Sequence, residues 1–158
     1  LGEIDAAIVS YRTALSFEEG AADAWFNLGV AFARKADDAK EADVRQGLGM
    51  EERAAYERAV ALEPGYYKAW FNRAIAFRRA GDIDREIKAY ITALEIRNEY
   101  PPALYNLAYA YEEGGRLGDA VAVWRRYLLA AKSHLIEAPY LTIAQQELTR
   151  LTAPPETP

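Results

Sequence analysis

The sequence contains no cysteine, one histidine and one methionine among its 158 residues. The lack of cysteine excludes thiol catalysis, iron–sulfur clusters and cysteine-ligated zinc, and it does not discriminate between the cytosol and the periplasm. No apolar run approaches the roughly 18 residues that a membrane-spanning helix needs. The net charge of −5 argues against a general binder of nucleic-acid backbones, because such proteins carry a basic excess. We therefore expect neither membrane insertion nor a nucleic-acid partner.

Motifs for catalysis, cofactors and metals are also missing. The single histidine, His134, has Glu137 three residues later but no second carboxylate or thiol nearby, which makes a poor metal site. Gly47-Leu48-Gly49 lacks the third glycine and the preceding strand of a dinucleotide-binding loop, and no phosphate-loop motif occurs. The sequence thus predicts a protein that is not an enzyme and that has no cofactor and no metal.

The composition favours helices. The chain has 31 alanines against 21 valines, isoleucines and threonines together. Alanine is the strongest helix former, whereas β-branched residues prefer strands. Eleven tyrosines and three tryptophans, set against so many small residues, suggest large rings that fill gaps between closely packed helices. These features predict an all-α fold.

A repeat of 34 residues organises the chain. Three segments share a large residue, an asparagine two residues later, a small residue four later and an aromatic seven later: Trp25, Asn27, Gly29 and Phe32; Trp70, Asn72, Ala74 and Phe77; Leu104, Asn106, Ala108 and Tyr111. A second block follows each one, with Tyr56/Ala59, Tyr90/Ala93 and Trp124/Tyr127, and the same block opens the chain as Tyr11/Ala14. Such offsets place the residues on one helical face, so each unit is predicted to be a helix–turn–helix that buries its faces by stacking.

At these residues the sequence resembles the tetratricopeptide repeat family, over about residues 2–131. The first full unit carries the family pattern at Trp25, Leu28, Gly29, Phe32, Tyr56, Ala59 and Pro64. The resemblance implies an α-solenoid, a right-handed superhelix of helix–turn–helix repeats, with a C-terminal capping helix. Gly29 is then a tight helix crossing. Arg73 stands where the family usually has leucine, and Glu52 and Glu86 stand where it usually has alanine. We therefore predict that Arg73 pairs with Glu52 or Glu86 within a packing layer.

The predicted organisation is a single array over residues 1–151. Residues 1–21 match the second helix of a partial repeat, residues 22–66, 67–100 and 101–134 are repeats, 138–151 form the capping helix, and 152–158 are a disordered tail. The first full repeat has 11 extra residues near 36–49. Two interpretations are open: both helices of the hairpin are lengthened, or the insertion is a polar loop. Gly47 and Gly49 oppose the helical alternative, since each costs about 1 kcal/mol inside a helix.

The resemblance also implies a function, because the first helix of each repeat lines a concave groove in this family. We expect that groove to bind a peptide or helical segment of another protein, through residues that face it: Phe26, Asn27, Val30, Arg34, Lys68, Phe71, Asn72, Ile75, Arg78, Arg79, Tyr105, Asn106 and Tyr109. The asparagines suit an extended peptide backbone, or they brace a neighbouring helix, and the apolar positions form a binding floor or pack between repeats.

The chemistry of the partner and two alternative functions are also open at this stage. The two-carboxylate clamp of some family members is not matched, but Lys68, Arg78 and Arg79 favour an acidic residue in the ligand. The alternatives are a homo-oligomer that assembles through the open N-terminal repeat face and a regulatory module of a longer protein.

Overall fold

The computed structural model describes residues 2–131 and 138–153, and these residues form eight helices and no strand. The helices are α1 Glu3–Phe17, α2 Ala22–Asp38, α3 Ala42–Leu62, α4 Tyr67–Arg79, α5 Ile83–Ile96, α6 Pro101–Glu113, α7 Leu117–Ala131 and α8 Ala138–Thr152. The all-α prediction is confirmed. Not one of these helices combines the length and apolarity needed to cross a membrane. His134 and residues 154–158 of the predicted tail lie outside the described residues, while Thr152 ends α8.

The chain divides into two compact units, residues 1–96 and 97–158. In the first unit, α2 pairs with α3 and α4 pairs with α5, while α1 contacts α2 and α3 contacts α4. In the second unit, α6 pairs with α7, and α8 packs against α7. Each hairpin therefore consists of the first and the second helix of one repeat.

A glycine turn ends the first helix of two repeats, α4 and α6. Gly81 follows α4 with φ of 73° and Gly115 follows α6 with φ of 72°, a conformation that side chains with a Cβ disfavour. After Gly81, the backbone N–H of Asp82 donates to Phe77 O at 3.0 Å, which closes the end of α4. The Asp82 carboxylate then accepts from the Arg85 backbone N–H at 3.1 Å and begins α5. The turn is therefore short, and it holds α4 and α5 as an antiparallel pair.

The core of the first unit is made where α1, α2 and α3 meet. Its buried cluster comprises Ile8, Leu15, Leu28, Ala31, Phe32 and Ala55. The predicted tight crossing lies beside it: a Cβ built on Gly29 would come within 2.6 Å of Cε1 of Tyr56, whose ring is buried. Glycine is required here because the ring of α3 occupies the space that any side chain of α2 would need.

The insertion is shared between two lengthened helices. α2 has 17 residues and α3 has 21, whereas α4 and α5 have 13 and 14. Of the two interpretations left open by the sequence, the structure has the helical one. Leu48 packs against the core cluster of α1 and α2, and Arg45 Nη2 donates to Ala39 O at 2.8 Å where α2 ends. These tertiary contacts offset the low helix propensity of Gly47 and Gly49.

The second unit is held by a cluster of aromatic rings. The ring of Tyr105 lies 5.3 Å from Trp124, 5.4 Å from Tyr127 and 5.7 Å from Tyr140, centroid to centroid, in edge-to-face arrangements. Trp124 is fully buried. Tyr127 packs against Tyr105, and Tyr140 brings α8 onto the same cluster.

The predicted pairing of Arg73 with Glu52 or Glu86 is wrong. The Arg73 guanidinium forms an ion pair with Glu57, which is largely exposed, and it lies over the rings of Trp70 and Phe77. Its carbon Cζ is 5.1 Å from the Trp70 centroid and 5.2 Å from that of Phe77. The long side chain thus covers apolar rings while its charge reaches a hydrated carboxylate. Glu52 is paired with Arg79 instead.

Candidate functional site

Three of the predicted binding residues come together in a cleft between α1 and α2. Asn27, Val30 and Arg34 lie on one face of α2, at helical offsets of three and four residues. They line a space of about 170 Å³ with α1 residues of matching periodicity and one alanine of α2: Glu3, Ile4, Ala7, Tyr11 and Ala31. The cleft is open on one side, and its walls combine apolar side chains with an amide, a phenol and two charges of opposite sign.

The remaining α2 residue, Phe26, packs inside the unit. Its ring lies 5.0 Å from Tyr66 and 6.0 Å from Tyr56, centroid to centroid. The Tyr66 hydroxyl donates to Asp23 Oδ1 at 2.6 Å. Burial and then this hydrogen bond to a carboxylate raise the pKa of Tyr66 well above its ordinary value. Phe26 therefore has a packing role between successive hairpins, and only part of its surface faces solvent.

The predicted residues of α4 differ in their exposure to solvent. The charged side chains of Lys68 and Arg78 are exposed, whereas Asn72 and Ile75 are partly buried. The Phe71 ring packs 5.8 Å from that of Tyr90, a fully buried tyrosine of α5. Burial raises the pKa of Tyr90 well above its usual range, so this phenol is neutral at every physiological pH.

Arg79 differs from the other predicted basic residues because two carboxylates fix its position. Its Nη1 donates to Glu52 Oε1 at 3.0 Å and its Nη2 donates to Asp37 Oδ2 at 3.2 Å. Glu52 is only 2% exposed. Burial raises the pKa of Glu52, and the positive charge of Arg79 opposes that rise.

In the second unit, the predicted residues are engaged in packing and in local hydrogen bonds. Tyr105 and Tyr109 belong to the aromatic cluster, with their centroids 5.2 Å apart. Asn106 Nδ2 donates to Pro102 O at 2.9 Å, within its own helix. Glu112, on the same helix, accepts from Trp124 Nε1 at 2.7 Å and pairs with Arg150 of α8. Sequence reasoning placed no structural role on Glu112, because its partner α8 lies outside the regular repeats.

A second cleft was not predicted from the sequence. It has a volume of about 580 Å³ and lies where the end of α2, the first half of α3 and the end of α4 meet. Arg79 is the predicted site residue among its lining, which comprises Ala36, Asp37, Ala42, Arg45, Gln46, Gly49, Glu52, Arg53, Ala76, Arg79 and Ala80. The signal that could have revealed it is the insertion itself, whose small residues and arginines recur at helical spacing along α3.

Metal-ligating side chains do not gather in the part of the chain that the structure describes: residues 2–131 and 138–153 contain no group of three histidines or carboxylates placed to hold an ion.

Comparisons with known proteins identify the family. A TPR repeat model matches residues 1–35, and two tetratricopeptide repeat models match residues 52–101 and 102–130. These matches together span most of the chain. The chain belongs to the tetratricopeptide repeat family, and its predicted class, an all-α solenoid of helical repeats, is confirmed.

Solved structures share this fold at low sequence identity. TTC0263, a thermophilic TPR protein of Thermus thermophilus, has a TM-score of 0.76 at 19% identity, and the match covers 92% of this chain and 73% of that one. Two structures of MamA have TM-scores of 0.69 and 0.68 at 16% identity, each over 95% of this chain and over 87% and 83% of theirs. At such identities the likeness shows the fold alone. A comparison with curated proteins found no significant match.

Proposed function

We propose that this chain binds a peptide segment of a partner protein along the first helices of its repeats, with the α1–α2 cleft as a principal contact. The family and the fold support a protein–protein interaction scaffold, a class that generally lacks catalytic activity. The finer proposal, binding of a peptide, depends on one observation: Asn27, Val30 and Arg34, predicted from the repeat pattern as binding residues, line one open cleft.

The chemistry of that cleft suits an extended peptide. Ile4, Ala7 and Val30 offer an apolar floor for one side chain of the ligand. The Asn27 amide has both a donor and an acceptor for the ligand backbone. Glu3 and Arg34 provide charges of opposite sign, which would select the direction and the neighbouring residues of the peptide.

Site-specific photo-crosslinking tests this proposal. A benzophenone amino acid replaces Val30, which lines the cleft, or Val9, which is 56% exposed on α1 but does not line it. After crosslinking in extract of the source cells, mass spectrometry identifies the residues of the partner that are attached. The corresponding synthetic peptide is then titrated into the unmodified chain and into the Asn27→Ala variant.

We expect one defined peptide segment to crosslink at position 30 and not at position 9, and we expect Asn27→Ala to weaken its binding about fivefold or more, which is the loss of about one net hydrogen bond. Equal crosslinking at both positions, or unchanged affinity of the Asn27→Ala variant, would show that the α1–α2 cleft is not the peptide site.

A further inference from the structure

The cleft between α2, α3 and α4 is larger than the α1–α2 cleft and shares no lining residue with it. It exists because the insertion lengthens α3 while its walls are built from small side chains: Ala36, Ala42, Gly49, Ala76 and Ala80. A packed helix junction in a protein interior leaves few voids larger than a water molecule. A space of about 580 Å³, by contrast, has the size of a site for a small ligand or for a few peptide residues.

One arginine contacts both acidic groups of the cleft. Arg79 donates to Glu52 at 3.0 Å and to Asp37 at 3.2 Å, so one guanidinium engages two carboxylates. Because Glu52 is buried, it holds Arg79 in place, much as a hydrogen-bonded partner orients a binding residue. An incoming cation would therefore compete with Arg79 for both acids.

Two further arginines of α3, Arg45 and Arg53, line the cleft and have side-chain N–H groups that can donate to a ligand. Arg45 uses Nη2 for the bond to Ala39 O, which leaves its other N–H groups available. Arg53 is partly exposed and forms no hydrogen bond or ion pair with the residues that the structure describes. The positive charge of Arg53 opposes, after that of Arg79, the rise in the pKa of Glu52 in the same cleft, and it contributes, after Arg85, to the lowered pKa of Asp82.

The net charge of the side chains that line the cleft favours a ligand group with a single negative charge. Three arginines and two carboxylates give the cleft one excess positive charge. A single carboxylate neutralises that excess and can accept two hydrogen bonds from one guanidinium. A phosphate, with a charge of about −1.5 to −2, would leave a negative excess beside Asp37 and Glu52. We propose that this cleft binds one carboxylate of a peptide, through Arg45 and Arg53, with Gln46 contacting the peptide backbone.

This inference rests on the proposed function in taking the ligand to be a peptide, and it adds the acidic group that the peptide must carry. The carboxylate could belong to an aspartate or glutamate side chain or to a C-terminus. Both sources present the same group to the arginines, so the experiment separates them.

Nuclear magnetic resonance of the full chain tests the site without knowledge of the partner. The probes are the tripeptide Ac-Gly-Glu-Gly-NH₂, its neutral counterpart Ac-Gly-Gln-Gly-NH₂, the same neutral peptide with a free C-terminal carboxylate, and inorganic phosphate. The reporter is the backbone amide of Gly49, which lines the cleft. The amide of Gly65, beyond the end of α3, outside the lining and with nothing within 4 Å of its Cβ position, is the control.

We expect a saturable shift of Gly49, and not of Gly65, with at least one of the two carboxylate peptides, and about tenfold or more weaker binding of the neutral amide. The double variant R45Q/R53Q should lose that difference. The matched variant R58Q, on the same helix and outside the cleft, should keep it. The peptide that binds more tightly identifies the source of the carboxylate.

Equal shifts with charged and neutral peptides, equal effects of R45Q/R53Q and R58Q, tighter binding of phosphate, or no saturable shift at Gly49 would each overturn the carboxylate site. The test is independent of the α1–α2 cleft. If Val30 crosslinks to a peptide and Gly49 does not respond, only this inference fails, and the reverse result refutes only the α1–α2 cleft.

Discussion

At the scale of single residues, the close approach of Gly29 to Tyr56 can be tested by its effect on the free energy of unfolding. The Tyr56 ring is buried and cannot move aside, so a methyl group on Gly29 would collide with it at 2.6 Å. We expect Gly29→Ala to lower the free energy of unfolding by about 1–3 kcal/mol. Gly47→Ala, in an open helical position, should raise it by about 1 kcal/mol. Urea denaturation followed by circular dichroism measures both, and a stabilised Gly29→Ala variant would contradict the packing described.

Arg73 and Arg79 both lie on α4, but replacing them should change the free energy of unfolding by different amounts. Arg73→Met leaves Glu57 hydrated, because that carboxylate is 58% exposed, and we expect a change within about 1 kcal/mol. Arg79→Met removes the partner of buried Glu52 and should cost about 1–3 kcal/mol. Adding Glu52→Gln to Arg79→Met should recover most of that loss. Equal unfolding midpoints for the two single variants would show that Glu52 does not depend on Arg79.

The raised pKa of Glu52 predicts a dependence of stability on pH. Above the raised pKa, the carboxylate is charged in both the folded and the unfolded protein, and its desolvation cost is fully present. As the pH falls through that pKa towards the ordinary 4.5, the folded protein takes up a proton first and the cost disappears. The stability of Glu52→Gln relative to the unmodified chain should therefore decline from about pH 7 to about pH 4.5. Urea midpoints across this range measure it, with the exposed Glu51→Gln as the comparison, and a difference that is constant or rises would refute the assignment.

At the scale of elements, the lengthened α3 shows where sequence reasoning reaches its limit. The repeat period located the insertion, but Gly47 and Gly49 left helix and loop equally plausible, because propensity is a local quantity. The deciding contacts lie outside α3: Leu48 packs on the core of α1 and α2, and Arg45 bonds to Ala39 where α2 ends. Neither contact follows from residue spacing within α3.

Leu48 should therefore control the helicity of the first half of α3. Replacing it with serine removes its contact with the buried cluster, and we expect a loss of about 1–2 kcal/mol in unfolding free energy and faster amide exchange over residues 42–50. Met50→Ser, at a position that is 60% exposed on the same helix, should change neither. Hydrogen exchange followed by mass spectrometry makes the comparison. Slow exchange in the Leu48→Ser variant would mean that the helix forms without its tertiary contact.

At the scale of the whole molecule, periodicity predicted the hairpins well and the surfaces only in part. The offsets that define the repeats are the same ones that bury Gly29, Ala74 and Ala108, so the helices followed directly. Asn27, Val30 and Arg34, which the repeat pattern predicted as binding residues, lie together in the α1–α2 cleft, and their role in binding stays a prediction. Tyr105 and Tyr109 also pack in an aromatic cluster with Trp124 of α7, and Tyr140 of α8 adds to it at Tyr105. The contact with α8 could not be predicted from the period, because α8 lies outside the regular repeats.

The division into two compact units yields the last prediction. The buried clusters around Ile8, Leu28 and Phe32, and around Ala59, Val60 and Ala69, are made entirely by residues 1–96. Repeat proteins are stabilised by contacts between neighbouring units, so a fragment that keeps its neighbours keeps most of its stability. We expect residues 1–96, expressed alone, to be helical by circular dichroism and to unfold cooperatively in urea. Gly29→Ala should destabilise the fragment and the full chain by similar amounts, since its contact with Tyr56 lies within both. A fragment that binds hydrophobic dyes and unfolds without a transition would show that the first unit is not stable by itself.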